Sequence, residues 1–306
     1  MTRILILGAS GMLGHKLAQV LASASGLEVH GAVRSPPPEA FCHPSVRYRD
    51  GITVGANDIE QLRSLIADVR PGVIINALGV IKQHKDQMSQ LSTTFFLNGT
   101  LPHLLAHMAA PSARVIHVST DCVYVGDRGR YAESERPDAE DVYGRSKAMG
   151  ELDYGRHLTI RTSIIGPEVR GHHGLLGWLL SQPGGSRLRG WTRAIFSGLP
   201  TITLARTVRD LILGDSQLSG LYHVASEPID KFQLLSRING ALALGHTIEE
   251  DSSMVIDRSL DDRRFRAATS TTVPDWGQLI SELVDDVMAW PYQREYPALA
   301  AAAPQV

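Results

Sequence analysis

Tyr143 and Lys147 stand at i and i+4 in Tyr143-Gly144-Arg145-Ser146-Lys147, a spacing that stacks both side chains on one face of a helix. A free tyrosine titrates at roughly pH 10, too high to donate or accept a proton at neutrality without help. A neighbouring ammonium favours the phenolate, so Lys147 is expected to lower the Tyr143 pKa. Upstream, Ser119-Thr120-Asp121 closes the apolar run Val115–Val118, where a hydroxyl can hold a carbonyl oxygen. Together these residues suit proton transfer to an oxygen that develops negative charge.

A second constellation lies at the N-terminus. Gly8-Ala9-Ser10-Gly11-Met12-Leu13-Gly14 follows the apolar run Ile4–Leu7 directly and opens a helical stretch. Glycines there let the chain turn sharply, approach a pyrophosphate closely and pack a helix tightly on a sheet. The helix N-terminus then offers free N–H groups and a positive dipole end to the phosphates. Lys147 is placed to bind the nicotinamide ribose of such a dinucleotide. An NAD site usually carries Asp or Glu at the end of the second strand, roughly 20 residues past the glycines. Here that stretch ends Gly31-Ala32-Val33-Arg34-Ser35, and Arg34 suits a 2′-phosphate instead. NADP(H) is therefore the expected cofactor. Asp50, closing the next strand-like stretch, is a candidate for the adenine edge.

Positioning these groups requires strands that alternate with helices. Continuous apolar runs at Ile4–Leu7, Val29–Val33, Val73–Leu78, Val115–Val118 and Leu158–Ile165 read as buried parallel strands. Asp58 is the expected N-cap of a helix through Val69, ended by Pro71-Gly72. A longer helical stretch spans Met88 to Ala109 and is expected to break or bend near Gly99 and Pro102. The alternation predicts an α/β, Rossmann-like, doubly wound parallel sheet with ligands at the carboxyl ends of its strands. Beyond Pro167 the rhythm changes to Gly-rich and Arg-rich segments, then an amphipathic stretch from Trp276 to Trp290. The expected organisation is a cofactor domain over 1–166 and a smaller α/β substrate lobe over 167–296, with the chain partly crossing back. The Ala/Pro-rich tail 297–306 is expected to be disordered.

Composition narrows the partners. The 306 residues carry a formal net charge of −2, which argues against a nucleic-acid binder or a polybasic membrane anchor. No run reaches the length of a membrane span, and the opening apolar run is too short for a signal peptide. Cys42 and Cys122 form no C-x-x-C pair, so a reducing cytoplasm is the expected location. His103 and His107 stand at i and i+4, but Leu104 replaces the Glu of a zinc-protease helix, and no metal is expected. Of the 30 basic residues 25 are arginine, and Arg187, Arg189 and Arg193 cluster where a diphosphate could be held.

The glycine loop, Asn76-Ala77-Leu78-Gly79, Ser119-Thr120-Asp121, Tyr143 with Lys147, Arg161-Thr162-Ser163 and Arg258-Ser259-Leu260-Asp261 carry a resemblance. Over roughly residues 3–290 the chain resembles the extended short-chain dehydrogenases/reductases, and most closely the dTDP-4-dehydrorhamnose reductase-like nucleotide-sugar enzymes. The resemblance implies a catalytic triad of Thr120, Tyr143 and Lys147, with Asn98 as a candidate fourth member of a proton relay. It adds Asn76, Ala77 and Leu78 to the cofactor contacts. It adds Lys82, Thr120, Asp121 and Arg258 to the sugar-nucleotide contacts. The implied reaction is hydride transfer from NADPH to the C4 ketone of a nucleoside-diphosphate 4-keto-6-deoxy sugar. Tyr143 then protonates the alkoxide, Thr120 orients it and Lys147 keeps the tyrosine acidic. A homodimer is also a family expectation.

The chain departs from that pattern in places. Ser163-Ile164-Ile165 lacks the aromatic that rhamnose-type reductases carry after Arg-Thr-Ser. Gly79-Val80-Ile81-Lys82-Gln83 and Arg193-Ala194-Ile195-Phe196-Ser197-Gly198 are similar instead to reductases of capsule and O-antigen sugars, whose substrates include UDP-linked amino sugars. A 4,6-dehydratase is disfavoured, because Cys122 follows Asp121 where that chemistry needs Glu. Cys122 stands two residues past Thr120, as does the epimerising cysteine of GDP-fucose synthases, with His172 or His173 as candidate partner. An epimerase/reductase is thus one alternative. A non-catalytic NADP-binding regulatory subunit, known among relatives, is another.

Overall fold

The computed structural model describes residues 1–81, 90–109, 111–214, 218–289, 291–296 and 298–299. Strands β1 (Thr2–Leu7), β2 (Leu27–Ala32), β3 (Val46–Arg49), β4 (Val73–Asn76), β5 (Arg114–Thr120) and β6 (Leu158–Thr162) alternate with helices. The helices are α1 (Met12–Ala22), α2 (Ile59–Val69), α3 (Leu91–Phe95), α4 (Leu101–Ala109) and α5 (Val142–Met149). Later come the short strands β7 (Ile164–Ile165), β8 (Arg187–Trp191), β9 (Ala194–Phe196) and β10 (Leu199–Pro200). They are followed by β11 (Gly220–His223), β12 (Ile229–Asp230), β13 (Thr247–Asp251) and β14 (Ile256–Asp257). The remaining helices are α6 (Leu175–Leu180), α7 (Thr201–Leu213), α8 (Lys231–Ala241), α9 (Arg263–Thr269) and α10 (Trp276–Ala289).

Seven strands form one sheet in the order β3-β2-β1-β4-β5-β6-β11, and every pairing in it is parallel. The strand order reverses at β1, so a crevice opens between β1 and β4 at their carboxyl ends. Alternation along β1 explains the two layers. Ile4 and Ile6 face a core that includes Leu13, Leu17, Leu204, Val208, Leu279 and Leu283 from α1, α7 and α10. Leu5 and Leu7 face Leu62, Leu65, Leu101 and Leu105 from α2 and α4.

Strand β11 completes the main sheet beside β6, and α7 packs on α1. One continuous core also joins Ile4 and Leu17 to Phe196, Leu234 and Ile238 of the later segments. A buried ion pair fixes the seam, with Lys16 Nζ 2.6 Å from Asp286 Oδ1. Of the tail only residues 298–299 are described, and Trp290 and Met88 lie outside the described residues.

Two local expectations change in detail. Asp58 holds the N-cap position of α2, yet its side chain makes no capping bond, and the helix ends at Arg70 in a left-handed conformation (φ 48°). The expected bend near Gly99 is a π-helical turn, Phe96–Thr100, between α3 and α4. Such turns recur at functional sites, and this one holds Asn98.

The glycine loop depends on contacts closer than any side chain permits. A Cβ at Gly14 would lie 1.9 Å from the Gly8 carbonyl oxygen. Gly14→Ala must therefore push α1 away from the loop. It is expected to cost about 1–3 kcal/mol of stability and to weaken dinucleotide binding at least about tenfold. Chemical denaturation and a fluorescence titration with NADPH measure the two effects.

Candidate active site

Thr120 is the last residue of β5, at the carboxyl edge of the sheet. Its hydroxyl donates to Asp121 Oδ1 at 3.1 Å and accepts from the Cys122 backbone N–H at 3.1 Å. Residues Asp121–Val123 turn at once into a short 3-10 helix. Helix α5 presses against this turn. Asp141 caps it by accepting from Gly144 N at 2.9 Å, and a Cβ on Gly144 would stand 2.1 Å from the Cys122 carbonyl oxygen. Glycine at 144 therefore lets α5 approach closely enough to bring the Tyr143 phenol beside Thr120.

The expected effect of Lys147 on Tyr143 is not what the structure displays. Burial raises the Tyr143 phenol above its ordinary value of 10.0, Cys122, Asp121 and Asp141 add to the rise, and Thr120 opposes it. The Lys147 ammonium is instead anchored by the sheet, donating to the Val118 carbonyl at 2.6 Å and lying 3.5 Å from His117 Nε2. His117 is buried, kept uncharged by desolvation and by Lys147, and sits 3.2 Å from the Asn76 amide. Burial lowers Lys147 itself from 10.5 to about 8. An ammonium has three N–H bonds, and two acceptors from β5 leave one for a ligand.

That value has a kinetic consequence. If the ammonium holds the cofactor ribose, kcat/KM is expected to fall as pH rises through about 8, where an exposed lysine would keep its charge towards 10.5. A pH–rate profile of wild type beside Lys147→Arg checks it, since the arginine variant should lose the limb near pH 8.

Asn98 is a brace. Its Oδ1 accepts from Val80 N at 2.9 Å, while its Nδ2 donates to Val80 O at 3.1 Å and Ser146 Oγ at 3.0 Å. Both ends of the amide are thus committed, which ties the π-helical turn to α5.

On the other side of Thr120 a charged cluster forms. Arg258 donates through Nε to the Tyr124 carbonyl at 2.6 Å and brings Nη1 within 3.9 Å of Cys122 Sγ. Asp121 is buried, which raises its pKa, while Thr120, Arg258 and Lys231 favour its charged form. Lys231 opens α8 behind the N-cap Asp230 and lies 5.3 Å from the centre of the Trp191 ring. Burial lowers its pKa, and the charges of Asp121 and Cys122 act against that. Sequence reasoning missed Lys231. Its only signal was scarcity, since it is one of five lysines in the chain.

The arginines expected from sequence clustering are exposed. Arg187 and Arg189 project from β8 into solvent and pair with Glu249 and Asp251 of the neighbouring β13. Alternate residues of a strand share one face, so the two arginines meet the acids of the adjacent strand. Arg193 is exposed and Lys82 lies outside the described residues. His172 and His173 are exposed, and His172 packs on Tyr296 with ring centres 5.0 Å apart. His103, weighed as a metal ligand, uses both ring nitrogens on Tyr154 and the Met149 carbonyl, each at 2.7 Å.

At the dinucleotide end, Gly8 to Gly14 link β1 to α1. Among the described residues no side chain caps α1, and its first turn carries no acid, so its positive end is left to an anion. Leu78 lies 3.0 Å from where a Gly8 Cβ would stand, which places Asn76, Ala77 and Leu78 beside the loop. Arg34 and Asp50 are exposed beyond the ends of β2 and β3, and Gly51 N donates to the Arg34 carbonyl at 3.2 Å. A glycine cradle with an uncapped helix end and Arg34 fits a phosphorylated dinucleotide.

A parallel sheet of this order with a glycine loop, and Tyr143 and Lys147 on a helix beside a strand-end threonine, defines the extended short-chain dehydrogenase/reductase class. Within it, the chain belongs to the RmlD substrate binding domain family, whose model matches residues 1–255. It is 26% identical over 249 residues to a dTDP-4-dehydrorhamnose reductase of Aggregatibacter actinomycetemcomitans, covering 74% of each chain. It is also 28% identical over 154 residues to the rat (Rattus norvegicus) methionine adenosyltransferase 2 subunit beta, covering 49% of this chain and 41% of that one. Among solved structures, a Bacillus anthracis dTDP-4-dehydrorhamnose reductase in complex with NADP superposes with a TM-score of 0.76 at 19% identity. That match covers 94% of this chain and 99% of the other, a likeness of fold. Among the described residues no helix is long and apolar enough to cross a membrane, and no His, Cys, Asp and Glu cluster could hold a metal.

Proposed function

We propose that the protein is an NADPH-dependent reductase of the C4 ketone of a nucleoside-diphosphate 4-keto-6-deoxy sugar. The observation that carries this reading is the meeting of Tyr143 with Thr120 at the end of β5, beside Lys147 anchored on the same strand. NADPH, when bound, supplies the hydride. Tyr143 donates its proton to the oxygen of the ketone, and burial keeps that proton on the phenol until alkoxide develops. Thr120 orients the same oxygen, and Lys147 holds the ribose through its remaining N–H bond. Asp121, Arg258 and Lys231 form the sugar-nucleotide side, where two cations face one carboxylate and favour an anionic substrate. The names of the rhamnose-reductase relatives and the NADP held by the Bacillus anthracis enzyme support the reading. On this reading the protein is cytoplasmic, in keeping with Cys42 and Cys122 forming no disulfide.

Incubation with NADPH and a panel of UDP-, dTDP- and GDP-linked 4-keto-6-deoxy sugars tests it. Loss of nicotinamide absorbance with at least one of them is expected, and no turnover with any would sink the proposal. A second reading, epimerisation before reduction, is favoured by the Arg258 guanidinium beside Cys122 Sγ. It requires solvent deuterium to enter the sugar ring and to stop entering in Cys122→Ser.

A further inference from the structure

The segment joining β7 to α6 crosses the dinucleotide groove as a strap. One end lies on the glycine loop, where a Cβ on Gly174 would stand 2.4 Å from Met12 Cε. The strap is held in shape from within. Glu168 is buried and accepts from Gly174 N at 2.9 Å, and its own N–H donates to the Tyr296 hydroxyl at 3.1 Å. Tyr296, fully buried, stands 3.4 Å from the Gly171 carbonyl.

The other side of the strap reaches β2. Arg170 donates through Nη2 to the Pro36 carbonyl at 3.0 Å and through Nη1 to Ser35 Oγ at 3.4 Å. Ser35 and Pro36 directly follow Arg34, and the run Pro36-Pro37-Pro38 stiffens the platform they form. Two exposed arginines therefore flank one turn at the ribose end of the groove. Among the described residues neither pairs with a carboxylate. A guanidinium has five N–H bonds, and Arg170 spends two of them on the platform. The rest stay available to an oxyanion. One arginine neutralises only part of a phosphate dianion, and a second from the opposite side supplies bidentate contacts and charge together.

We propose that Arg170 is a second anchor for the 2′-phosphate of the dinucleotide, reaching over the groove from the strap to share that group with Arg34. The inference rests on the cofactor reading above and deepens it. The later half of the chain, which carries the sugar side, thereby takes part in choosing the cofactor.

Titrating the full-length protein with NADPH and with NADH, by nicotinamide fluorescence, tests the assignment. In Arg170→Met the Kd for NADPH is expected to rise at least about tenfold, with the Kd for NADH unchanged within a factor of about two. Arg170→Lys should recover part of the loss. Unchanged NADPH binding in Arg170→Met overturns the inference and leaves the cofactor reading standing. Equal losses for both nucleotides also overturn it, because the strap would then hold the groove without reading the phosphate. Wild type that binds neither nucleotide, or both equally, removes the cofactor reading and this inference with it.

Discussion

Tyr143→Phe is expected to lower kcat by about a thousandfold while leaving NADPH affinity within about twofold of wild type. The phenylalanine keeps the ring that packs at the start of α5 and removes only the hydroxyl that meets Thr120. Because burial holds the Tyr143 phenol protonated, the side chain is a poor source of phenolate before reaction and a ready acid once alkoxide forms. Its loss should fall on the chemical step, with kcat and kcat/KM reduced together and little change in KM. Steady-state kinetics with NADPH binding measured separately would reveal the pattern. A Tyr143→Phe enzyme that keeps more than about a tenth of wild-type kcat would remove Tyr143 from the role of acid.

Glu151→Ala is expected to be the most destabilising single change at the site. Glu151 lies just past α5 and accepts from Arg161 Nε at 2.7 Å and Nη2 at 2.6 Å, and from Ser119 Oγ at 2.7 Å. The Arg161 side chain is 4% exposed and that of Glu151 7%, so the pair is shielded from water. Arg161 also donates to the Tyr124 hydroxyl at 2.6 Å, which carries the network into the turn below the sugar side. Removing the carboxylate leaves a buried guanidinium without its counter-charge, a change worth about 3–5 kcal/mol. A fall in Tm of roughly 10 °C follows for a chain of this size. Glu151→Gln, which keeps volume and acceptor oxygen, should lie between. Thermal and urea denaturation report both variants, and an alanine variant as stable as wild type would mean that the network contributes little.

Ile4–Leu7 and Val73–Leu78 were legible as strands because a buried parallel strand writes its environment into consecutive residues. Gly8, Gly11 and Gly14 were legible because the cradle is local in the chain. Lys231, Glu151 and Arg170 were not. Each acquires its partners only when distant segments fold together, as when α8 carries Lys231 to Asp121. For Arg187 and Arg189 the converse holds. They cluster in sequence, but β8 turns them towards the acids of β13. Asn98 stood at a legible bend, yet spacing could not reveal that Val80 and Ser146 occupy its amide. Tyr143 and Lys147 were found by their i, i+4 spacing, whereas their protonation depends on burial, which no spacing records. The short strands β7, β9, β10, β12 and β14 span only two or three residues each and leave no periodicity to read.

The central claim is that hydride passes to the sugar carbon whose oxygen Tyr143 and Thr120 hold. Turnover with NADPH deuterated at the transferable position of nicotinamide C4, followed by NMR of the product sugar, tests it most directly. One deuterium on sugar C4, absent with Tyr143→Phe, is the expected result. Tight NADPH binding with no deuterium in any 4-keto-6-deoxy sugar nucleotide would contradict the claim and favour a protein that binds the dinucleotide without using it.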